Sequence, residues 1–378
     1  MKKIYLDNAA TTPMSVEVIE AITGVMQTTF GNPSSTHQFG RSAKALVEKS
    51  RKNIAKHFKV TASEIVFTAG GSEADNLILT NAVLNLGVQH IVTSKIEHHA
   101  VLHTILELQK THKIKVDYVN LSADGVVDYS HLEELLLVNE DKTLVSLMYV
   151  NNELGNLLDL KLVSDLCQKN DAYFHSDTVQ GIAHFNIDLQ EIPIDFIAAS
   201  AHKFHGPKGV GFAIIKKGIG IKPLLLGGEQ ERGARAGTEN VPSIVGMDVA
   251  LSIALQHLAT EKKLIWNLKN HFIEALKSEF KNIEFNGMSN NQNESSYLIV
   301  NVRFSKEIPM LLFSLDLKGV AVSGGSACQS GSNKGSHVLN AILSEEEALK
   351  TSVRFSFNKH NTIDELDDVI AILKTLIS

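Results

Sequence analysis

The chain has 378 residues, which is more than one small domain usually contains. Its 44% hydrophobic and 21% charged residues are ordinary for a globular protein and exclude a disordered chain. The net charge is −6, from 36 basic and 42 acidic residues, so nucleic acid is not an expected partner. Two cysteines, Cys167 and Cys328, exclude a disulfide framework and indicate a reducing compartment.

No run of apolar residues is long enough to span a membrane, so we expect no membrane association. The first residues reach Asp7 before an apolar segment could form, which is unlike a signal peptide. We therefore expect a cytoplasmic protein.

Between residues 64 and 215, short apolar runs alternate with segments of helical period. The predicted strands are Glu64–Thr68, His90–Thr93, Lys115–Val119, Thr143–Tyr149, Ala172–His175, Phe196–Ser200 and Gly211–Ile215. The predicted helices between them are Ser72–Asn85, Ala100–Lys110, Leu132–Val138 and Leu160–Lys169. Nearly continuous apolar strands are typical of a parallel sheet covered on both faces, so the pattern predicts an α/β domain.

The pattern changes after Pro242, where a long helical stretch, roughly Ile244 to Phe280, begins. The smaller α+β segment that follows has predicted strands Ser296–Val302 and Ser352–Phe357 and predicted helices Ile308–Leu317 and Ile363–Leu376. We predict a large domain over residues 14–255 and a small domain formed by residues 1–13 and 256–378.

Ligands of such sheets bind beyond the carboxyl ends of the strands, so the residues there are candidates for a site. Gly70-Gly71-Ser72 follows one strand and opens a helix, which suits an anion but also describes an ordinary helix cap. Asp177 follows another strand and could simply cap a helix. Lys203 follows a third strand, and its alternative is a solvated surface lysine. Together, a phosphate cradle, a carboxylate and a lysine predict pyridoxal phosphate.

Further motifs extend this pattern over nearly the whole chain. They are Tyr5-Leu6-Asp7-Asn8-Ala9-Ala10-Thr11-Thr12-Pro13, Gly31-Asn32-Pro33-Ser34-Ser35-Thr36-His37, Glu97-His98-His99-Ala100-Val101, Val150-Asn151-Asn152-Glu153-Leu154-Gly155, Gly206-Pro207-Lys208-Gly209, Ser326-Ala327-Cys328 and Val353-Arg354-Phe355-Ser356. Their order and identity resemble the class V aminotransferase superfamily, and more narrowly the cysteine desulfurases of the NifS/IscS type. The resemblance implies fold type I, with a large, mixed, mostly parallel sheet domain and a smaller α+β domain.

The resemblance also implies roles around the cofactor. Lys203 would bind the cofactor aldehyde and move the α-proton, Asp177 would pair with the pyridine nitrogen, and Gln180 would bind the ring hydroxyl oxygen. His98 would stack on the cofactor ring. Its alternative role is to cap a helix, and His99 is the other candidate for the stacking position. The phosphate would be held by Gly71, Ser72, Ser200 and His202.

For the substrate, the resemblance assigns Asn152 and Arg354 to the carboxylate of L-cysteine, although Arg354 alone could equally form a structural ion pair. Arg235-Ala236-Gly237-Thr238 matches a family motif whose threonine reaches the phosphate in the neighbouring subunit, which implies a homodimer. Alanine at position 236 replaces the family serine, but Thr238 is present.

Cys328 is the residue on which the implied activity depends. It lies in the glycine- and serine-rich stretch 323–331, where a thiol can be exposed and can reach an electrophile, whereas Cys167 sits in a predicted helix and is expected to be a core residue. The implied reaction converts L-cysteine to L-alanine and leaves a persulfide on Cys328. The long loop resembles the NifS/IscS group more than the SufS group.

Partners follow from the same resemblance. The expected sulfur acceptor is an iron–sulfur scaffold or another acceptor protein. The chain ends at Ser378, where IscS-type members usually continue with a scaffold-docking tail, so docking through such a tail is not expected and the resemblance favours the shorter NifS-like members. No metal is expected in the resting enzyme, because His99 and His103 at i, i+4 have no third ligand, although Cys328 could transiently ligate a cluster.

Two alternatives remain open. The first is another class V activity, such as a selenocysteine lyase or a small-amino-acid transaminase. The second, of a different class, is a non-catalytic relative that binds a scaffold protein; the presence of Lys203, Asp177, Arg354 and Cys328 argues against it.

Overall fold

The computed structural model describes residues 3–138, 141–324 and 335–377. The strands in chain order are β1 (Ile4–Tyr5), β2 (Ile65–Thr68), β3 (His90–Thr93), β4 (Lys115–Tyr118), β5 (Thr143–Ser146), β6 (Tyr173–Asp177), β7 (Phe196–Ser200), β8 (Gly211–Ile215), β9 (Glu284–Phe285), β10 (Ile299–Arg303), β11 (Val320–Ala321) and β12 (Ser352–Ser356). The α-helices are α1 (Val16–Thr28), α2 (Gln38–His57), α3 (Gly71–Leu84), α4 (His99–His112), α5 (Tyr129–Leu137), α6 (Leu160–Lys169), α7 (Val241–Glu279), α8 (Leu311–Leu317), α9 (His337–Ile342), α10 (Glu345–Ala348) and α11 (Ile363–Ile377).

A seven-stranded sheet in the order β2-β8-β7-β6-β5-β3-β4 organises the larger part of the chain. Six of its strands run in one direction, and β8 is antiparallel to both of its neighbours. Strands β2, β3, β5 and β7 are buried along their whole length, as expected where helices cover both faces. The carboxyl ends of β2, β3, β5, β6 and β7 therefore meet at one edge.

A second, smaller region is built on the antiparallel sheet β12-β10-β9. Strand β1 pairs in parallel with β11, so the start of the chain joins this region. Helix α11 buries Leu366, Val369, Ile370 and Leu373, which recur at three- and four-residue spacing on one face.

Helix α7 connects the two regions. Its buried residues from Val241 to Ala254 belong to a core with the seven-stranded sheet, and those from Ile265 to Leu276 belong to the core of the smaller region. The helix contains a window with a mean hydropathy of 1.4, apolar enough to cross a membrane by composition. Of that window, 44% is buried inside the structure. The division between residues 255 and 256 stays a prediction.

The structure confirms the predicted bounds of β3, β7, β8 and α6, and it shifts others. Strand β5 ends at Ser146 rather than Tyr149, because the Met148 amide donates to the buried Glu97 side chain. Helix α8 begins at Leu311 rather than Ile308, because Met310 has a left-handed φ of 61°.

Candidate active site

A cavity of about 200 Å³ lies at the carboxyl edge of the large sheet. Ten of the twelve residues predicted for the site line it: Gly71, Ser72, His98, Asn152, Asp177, Gln180, Ser200, His202, Lys203 and Arg354. They come from the ends of β2, β6 and β7, from the connection after β5, from the start of α4, and from β12 of the smaller region. Strand order alone therefore brings together residues that are far apart in the chain.

Asp177 is the last residue of β6 and pairs with Ala198 of β7. It caps no α-helix; its Oδ1 accepts the Val179 amide at 2.9 Å within a turn. Burial raises the pKa of Asp177, while the charges of His98 and Lys203 lower it. A buried carboxylate with one oxygen held by the backbone is suited to pairing with a cation in the cavity.

The start of α3 forms one corner of the cavity. Its N-cap is Gly70, which has a φ of 154° and no side-chain cap, so the first amides of the helix can bind an anion. A Cβ at Gly71 would lie 2.5 Å from a methyl carbon of Val179. Glycine therefore leaves room that any larger residue would close. Ser200 at the end of β7 lies beside this corner.

His98 is both the N-cap of α4 and a wall of the cavity. Its Nδ1 accepts the Ala100 amide at 3.1 Å, so the two readings of this residue are compatible. Burial lowers its pKa, so the ring is neutral near pH 7. His99 does not line the cavity and instead lies 4.7 Å from His103 between ring centroids. Among the described residues, no cluster suited to a metal ion is present.

Lys203 lies in the turn after β7, and its Nζ reaches back to the N-terminal segment. It donates to the Ala9 carbonyl at 2.6 Å and to the Ala10 carbonyl at 2.9 Å. The Gln180 amide also donates to the Ala9 carbonyl, at 2.9 Å. His202 lines the same wall, and burial lowers its pKa to about 4. The N-terminal segment thus holds the lysine at the cavity.

Arg354 is 1% exposed and enters the cavity from β12. Its Nη2 pairs with Asp7 at 2.8 Å, and its Nη1 donates to the Asn152 carbonyl at 2.8 Å. The predicted alternative of a structural ion pair is therefore present. Its Nε and the Asn152 side-chain oxygen, however, are buried and have no hydrogen-bond partner in the described part of the chain. Two unsatisfied polar atoms on a cavity wall are suited to a polar ligand.

Cys328 lies outside the described residues, but both flanks of the undescribed stretch 325–334 are described. On one side, Ser323 and Arg354 exchange two backbone hydrogen bonds, at 3.3 and 2.7 Å. On the other, the buried Ser336 Oγ donates to Glu153 Oε2 at 2.5 Å. Glu153 follows Asn152 directly. One flank is thus bound to Arg354, and the other to Glu153, the neighbour of Asn152.

Thr238 is the predicted site residue that the structure places away from this cavity. It is exposed, beyond Arg235, whose Nε pairs with Glu73 in the first turn of α3 at 2.8 Å. Leu224, Leu225 and Leu226 of the same connection are exposed, at 38, 47 and 88%.

Several cavity residues were missed from the sequence. The carbonyls of Ala9 and Ala10 bind Lys203, and Asp75 lines the wall beside Asp177. Asp75 follows Gly71 by four residues on one helix, so its spacing could have identified it. The alanine carbonyls carry no side-chain signal.

Comparison with known proteins assigns the chain to a family. The profile of the family described as "Aminotransferase class-V" matches residues 4–369, and the chain belongs to this family. The protein named cysteine desulfurase IscS of Dictyoglomus turgidum (strain DSM 6724 / Z-1310) is 39% identical over 381 residues, which cover 100% of this chain and 95% of that protein.

Solved structures agree with this assignment. A structure described as a NifS-like protein superposes with a TM-score of 0.90 at 34% identity, covering 100% of this chain and 99% of that one. A structure described as SspA in complex with cysteine has a TM-score of 0.81 at 31% identity, covering 96% of this chain and 100% of that one. Within the family, the chain belongs with the NifS/IscS-type cysteine desulfurases. This confirms the predicted family, fold class and enzyme class, a pyridoxal-phosphate-dependent cysteine desulfurase.

Proposed function

We propose that the cavity binds pyridoxal phosphate and L-cysteine, and that sulfur is transferred to Cys328 while L-alanine is released. The observation that carries the proposal is the convergence of ten predicted residues on one cavity. The polar groups are arranged in order along it: an anion corner at α3, a buried carboxylate at β6, a lysine after β7 and an arginine from β12. This order matches the groups that the cofactor and an amino acid present.

The residues present fit the cofactor at both ends. Gly71, Ser72, Ser200 and His202 would hold the phosphate, because the start of α3 offers backbone amides without a side-chain cap. Asp177 would bind the protonated pyridine nitrogen, Gln180 the ring hydroxyl oxygen, and His98 the ring face. Bound there, pyridoxal phosphate supplies an electron sink for the amino acid's α-carbon.

The chain's own groups carry out the remaining steps. Lys203 Nζ would hold the cofactor aldehyde covalently and then accept and return the proton of the substrate α-carbon. The Arg354 guanidinium, whose buried Nε has no partner in the described part of the chain, and the side-chain NH2 of Asn152 would donate to the substrate carboxylate.

Cys328 would supply the thiolate that attacks the substrate sulfur. A sulfur–sulfur bond forms on the enzyme, and the carbon–sulfur bond of cysteine breaks. The β-carbon that has lost the sulfur is then protonated. One cysteine and one enzyme thiol thus give one alanine and one persulfide. The positions of Ser323 and Ser336 support this, since they fix both flanks of the stretch beside Arg354 and Asn152.

We further propose a cytoplasmic homodimer in which Thr238 binds the phosphate in the partner's site. Thr238 is exposed and lies outside the cavity of its own subunit, which supports a site shared between two subunits. The three exposed leucines nearby support an interface there. Lys203→Ala subunits mixed with Thr238→Ala subunits test it. If sites are shared, the mixed dimer has one intact site and recovers activity; if Thr238 serves its own subunit, no intact site forms and activity stays low.

The persulfide would pass to an iron–sulfur scaffold or another acceptor protein. Native co-purification followed by identification of the bound protein tests this. A bound scaffold protein would support a role in iron–sulfur cluster assembly. A bound acceptor of another kind would mean that the sulfur is delivered to a different pathway.

The proposed reaction is tested by replacing each cysteine in turn. Cys328→Ala is expected to lower sulfide release from L-cysteine by about a thousandfold or more, because the nucleophile is removed. Cys167→Ala is the matched control: Cys167 is 2% exposed, and burial raises the pKa of its thiol, so activity should change by less than about twofold. Full sulfide release by Cys328→Ala would show that the mechanism is wrong.

The alternative activities are separated by substrate. Turnover of L-cysteine, L-selenocysteine and an amino-acid/keto-acid pair is compared on one preparation. Preference for L-selenocysteine would make the chain a selenocysteine lyase, and exchange between the pair would make it a transaminase. A colourless protein that takes up no cofactor would support the non-catalytic relative.

A further inference from the structure

Asp75 is a buried carboxyl group on the wall of the cofactor cavity that none of the steps above uses. It lies in the second turn of α3 and is 1% exposed. Its Oδ1 lies 3.3 Å from His175 Nε2, and His175 is fully buried in β6. On the other side of the ring, His175 Nδ1 lies 2.9 Å from Ser146 Oγ of β5. The three side chains form a row from the cavity wall into the sheet.

This row lies directly beside Asp177. Residues two apart on a strand point to the same face, so His175 and Asp177 both face α3 from β6. Asp75 and Asp177 line the same cavity. An ionised Asp75 would therefore place two negative charges together in a region removed from water, which is costly.

Hydrogen-bond accounting points to a proton between Asp75 and His175. Within the described ranges, neither Asp75 Oδ1 nor His175 Nε2 has a hydrogen-bond partner that satisfies strict geometry. The two atoms lie 3.3 Å apart, and they can satisfy each other only with a proton between them. Burial and the charge of Asp177 raise the pKa of Asp75, and burial lowers the pKa of His175 to about 3. The raised pKa of Asp75 favours its protonated form, and the neutral His175 ring then accepts at Nε2 while its own hydrogen, on Nδ1, points to Ser146 Oγ.

The other charged groups around the cavity do not change this conclusion. Glu97, before α4, also raises the pKa of Asp75, and its own pKa is raised by burial to about 8. The charge of Lys203 acts on Asp177, whose pKa it lowers, and Arg354 pairs with Asp7. Asp177 is thus the carboxylate available to carry charge at this end.

We propose that Asp75 is a positioning residue: a neutral acid that donates to His175 and fixes the β6 end, so that Asp177 alone carries the negative charge facing the cofactor nitrogen. The inference rests on the proposed binding of pyridoxal phosphate in this cavity. It assigns Asp75 and His175 a role in cofactor binding, separate from the transfer of sulfur to Cys328.

The test compares two variants of nearly equal size, Asp75→Leu and Asp75→Asn. Asp75→Leu removes the donor and is expected to weaken binding of pyridoxal phosphate to the apo-protein by about tenfold, the effect of one lost buried hydrogen bond. Asp75→Asn keeps a neutral donor and should restore the affinity to within about twofold of the wild type. Thermal unfolding of each apo-protein establishes that the variants are folded.

The pH midpoint of the bound cofactor's visible absorbance provides a second readout. It should coincide in the wild type and Asp75→Asn, because neither has a charge at position 75, while Asp177→Asn should lower it. A midpoint lowered by about one unit or more in Asp75→Asn, or no rescue of affinity, would mean that Asp75 is ionised and overturn the proposal. Should Asp75→Leu not fold, the midpoint in Asp75→Asn still decides. If the wild type itself acquires no visible absorbance when pyridoxal phosphate is added, it is the proposed binding of the cofactor that is wrong.

Discussion

The cofactor cavity and the flanks of residues 325–334 are supported in different ways. The cavity residues sit at the ends of β6 and β7, where ladder hydrogen bonds on both sides fix the backbone. The flanks are attached by individual contacts, among them the bridge between Ser323 and Arg354 and the hydrogen bond between Ser336 and Glu153. Cofactor binding should therefore depend on sheet order, whereas delivery of the thiol should depend on individual contacts near the substrate.

Removing the lysine should have the largest effect on the cavity side of this comparison. Lys203→Ala deletes the group that holds the cofactor aldehyde and moves the proton, so alanine formation should fall by about a thousandfold or more. The purified variant should lose the yellow colour of the wild type. Lys208→Ala, an exposed lysine five residues later, is the control and should retain both colour and activity. A yellow, fully active Lys203→Ala protein would contradict the assignment.

Arg354 belongs to both regions, since its guanidinium lines the cavity and its backbone holds Ser323. Arg354→Ala is expected to lower kcat/KM for L-cysteine by about a hundredfold, because a buried charge-assisted contact is lost and Asp7 is left without its partner. Arg232→Ala, an exposed arginine, should leave kcat/KM unchanged. Steady-state kinetics of the two variants test this. An unchanged kcat/KM in Arg354→Ala would mean that Arg354 only forms the structural ion pair with Asp7 and does not bind the substrate.

Ser336→Ala tests the thiol side alone. It removes the contact to Glu153 and leaves a buried carboxylate oxygen without a donor, so transfer of sulfur to the protein should slow by about tenfold. Cofactor absorbance should not change.

The matched control for Ser336→Ala is Ser344→Ala. Ser336 is the N-cap of α9, and Ser344 is likewise the N-cap of α10, where its side chain accepts the Glu347 amide at 3.3 Å. Its loss should cost about 1 kcal/mol of stability and leave sulfur transfer unaffected. Equal slowing in both variants would mean that helix capping, rather than the Glu153 contact, matters.

Lys269, which supports the smaller region from α7, is expected to affect stability rather than activity. It is fully buried and donates to Ser295 Oγ at 3.0 Å and to the Ser296 carbonyl at 2.7 Å. Burial lowers its pKa to about 7. Between that value and its ordinary range, the unfolded chain binds a proton that the folded chain does not, so stability rises with pH there.

The predicted rise of stability with pH can be measured by comparing the wild type with Lys269→Met. The difference in unfolding free energy, wild type minus variant, should rise by up to about 1.4 kcal/mol per pH unit above pH 7 and be flat below it. Lys263→Met, at an exposed position of the same helix, should show no such difference. A flat difference for Lys269→Met above pH 7 would mean that the amine stays charged in the folded protein.

The two regions also differ in what the sequence predicts. Asp177, Lys203 and Gly71 could be placed from the sequence, because parallel strands carry the residues at their ends to one edge. Helices α1 and α2 were not predicted, although Ser15 and His37 cap them and could have signalled their starts. These two helices lie ahead of the strand–helix alternation, so that pattern gave no indication of them.

Other parts of the site depend on contacts that no local pattern encodes. Asp75 meets His175 only because α3 packs on β6, and the Ala9 and Ala10 carbonyls meet Lys203 only because the N-terminal segment crosses the cavity. The contact between Ser336 and Glu153 joins residues far apart in the chain. Such pairs follow from tertiary packing.

The most direct test of the central claim is to locate the sulfur after a single turnover. The purified protein is given L-cysteine without a reductant, and its cysteine-containing peptides are then weighed by mass spectrometry. The account predicts one additional sulfur atom on the Cys328 peptide, none on the Cys167 peptide, and one alanine released for each sulfur bound. Alanine formed in full with no added sulfur on Cys328 would contradict it.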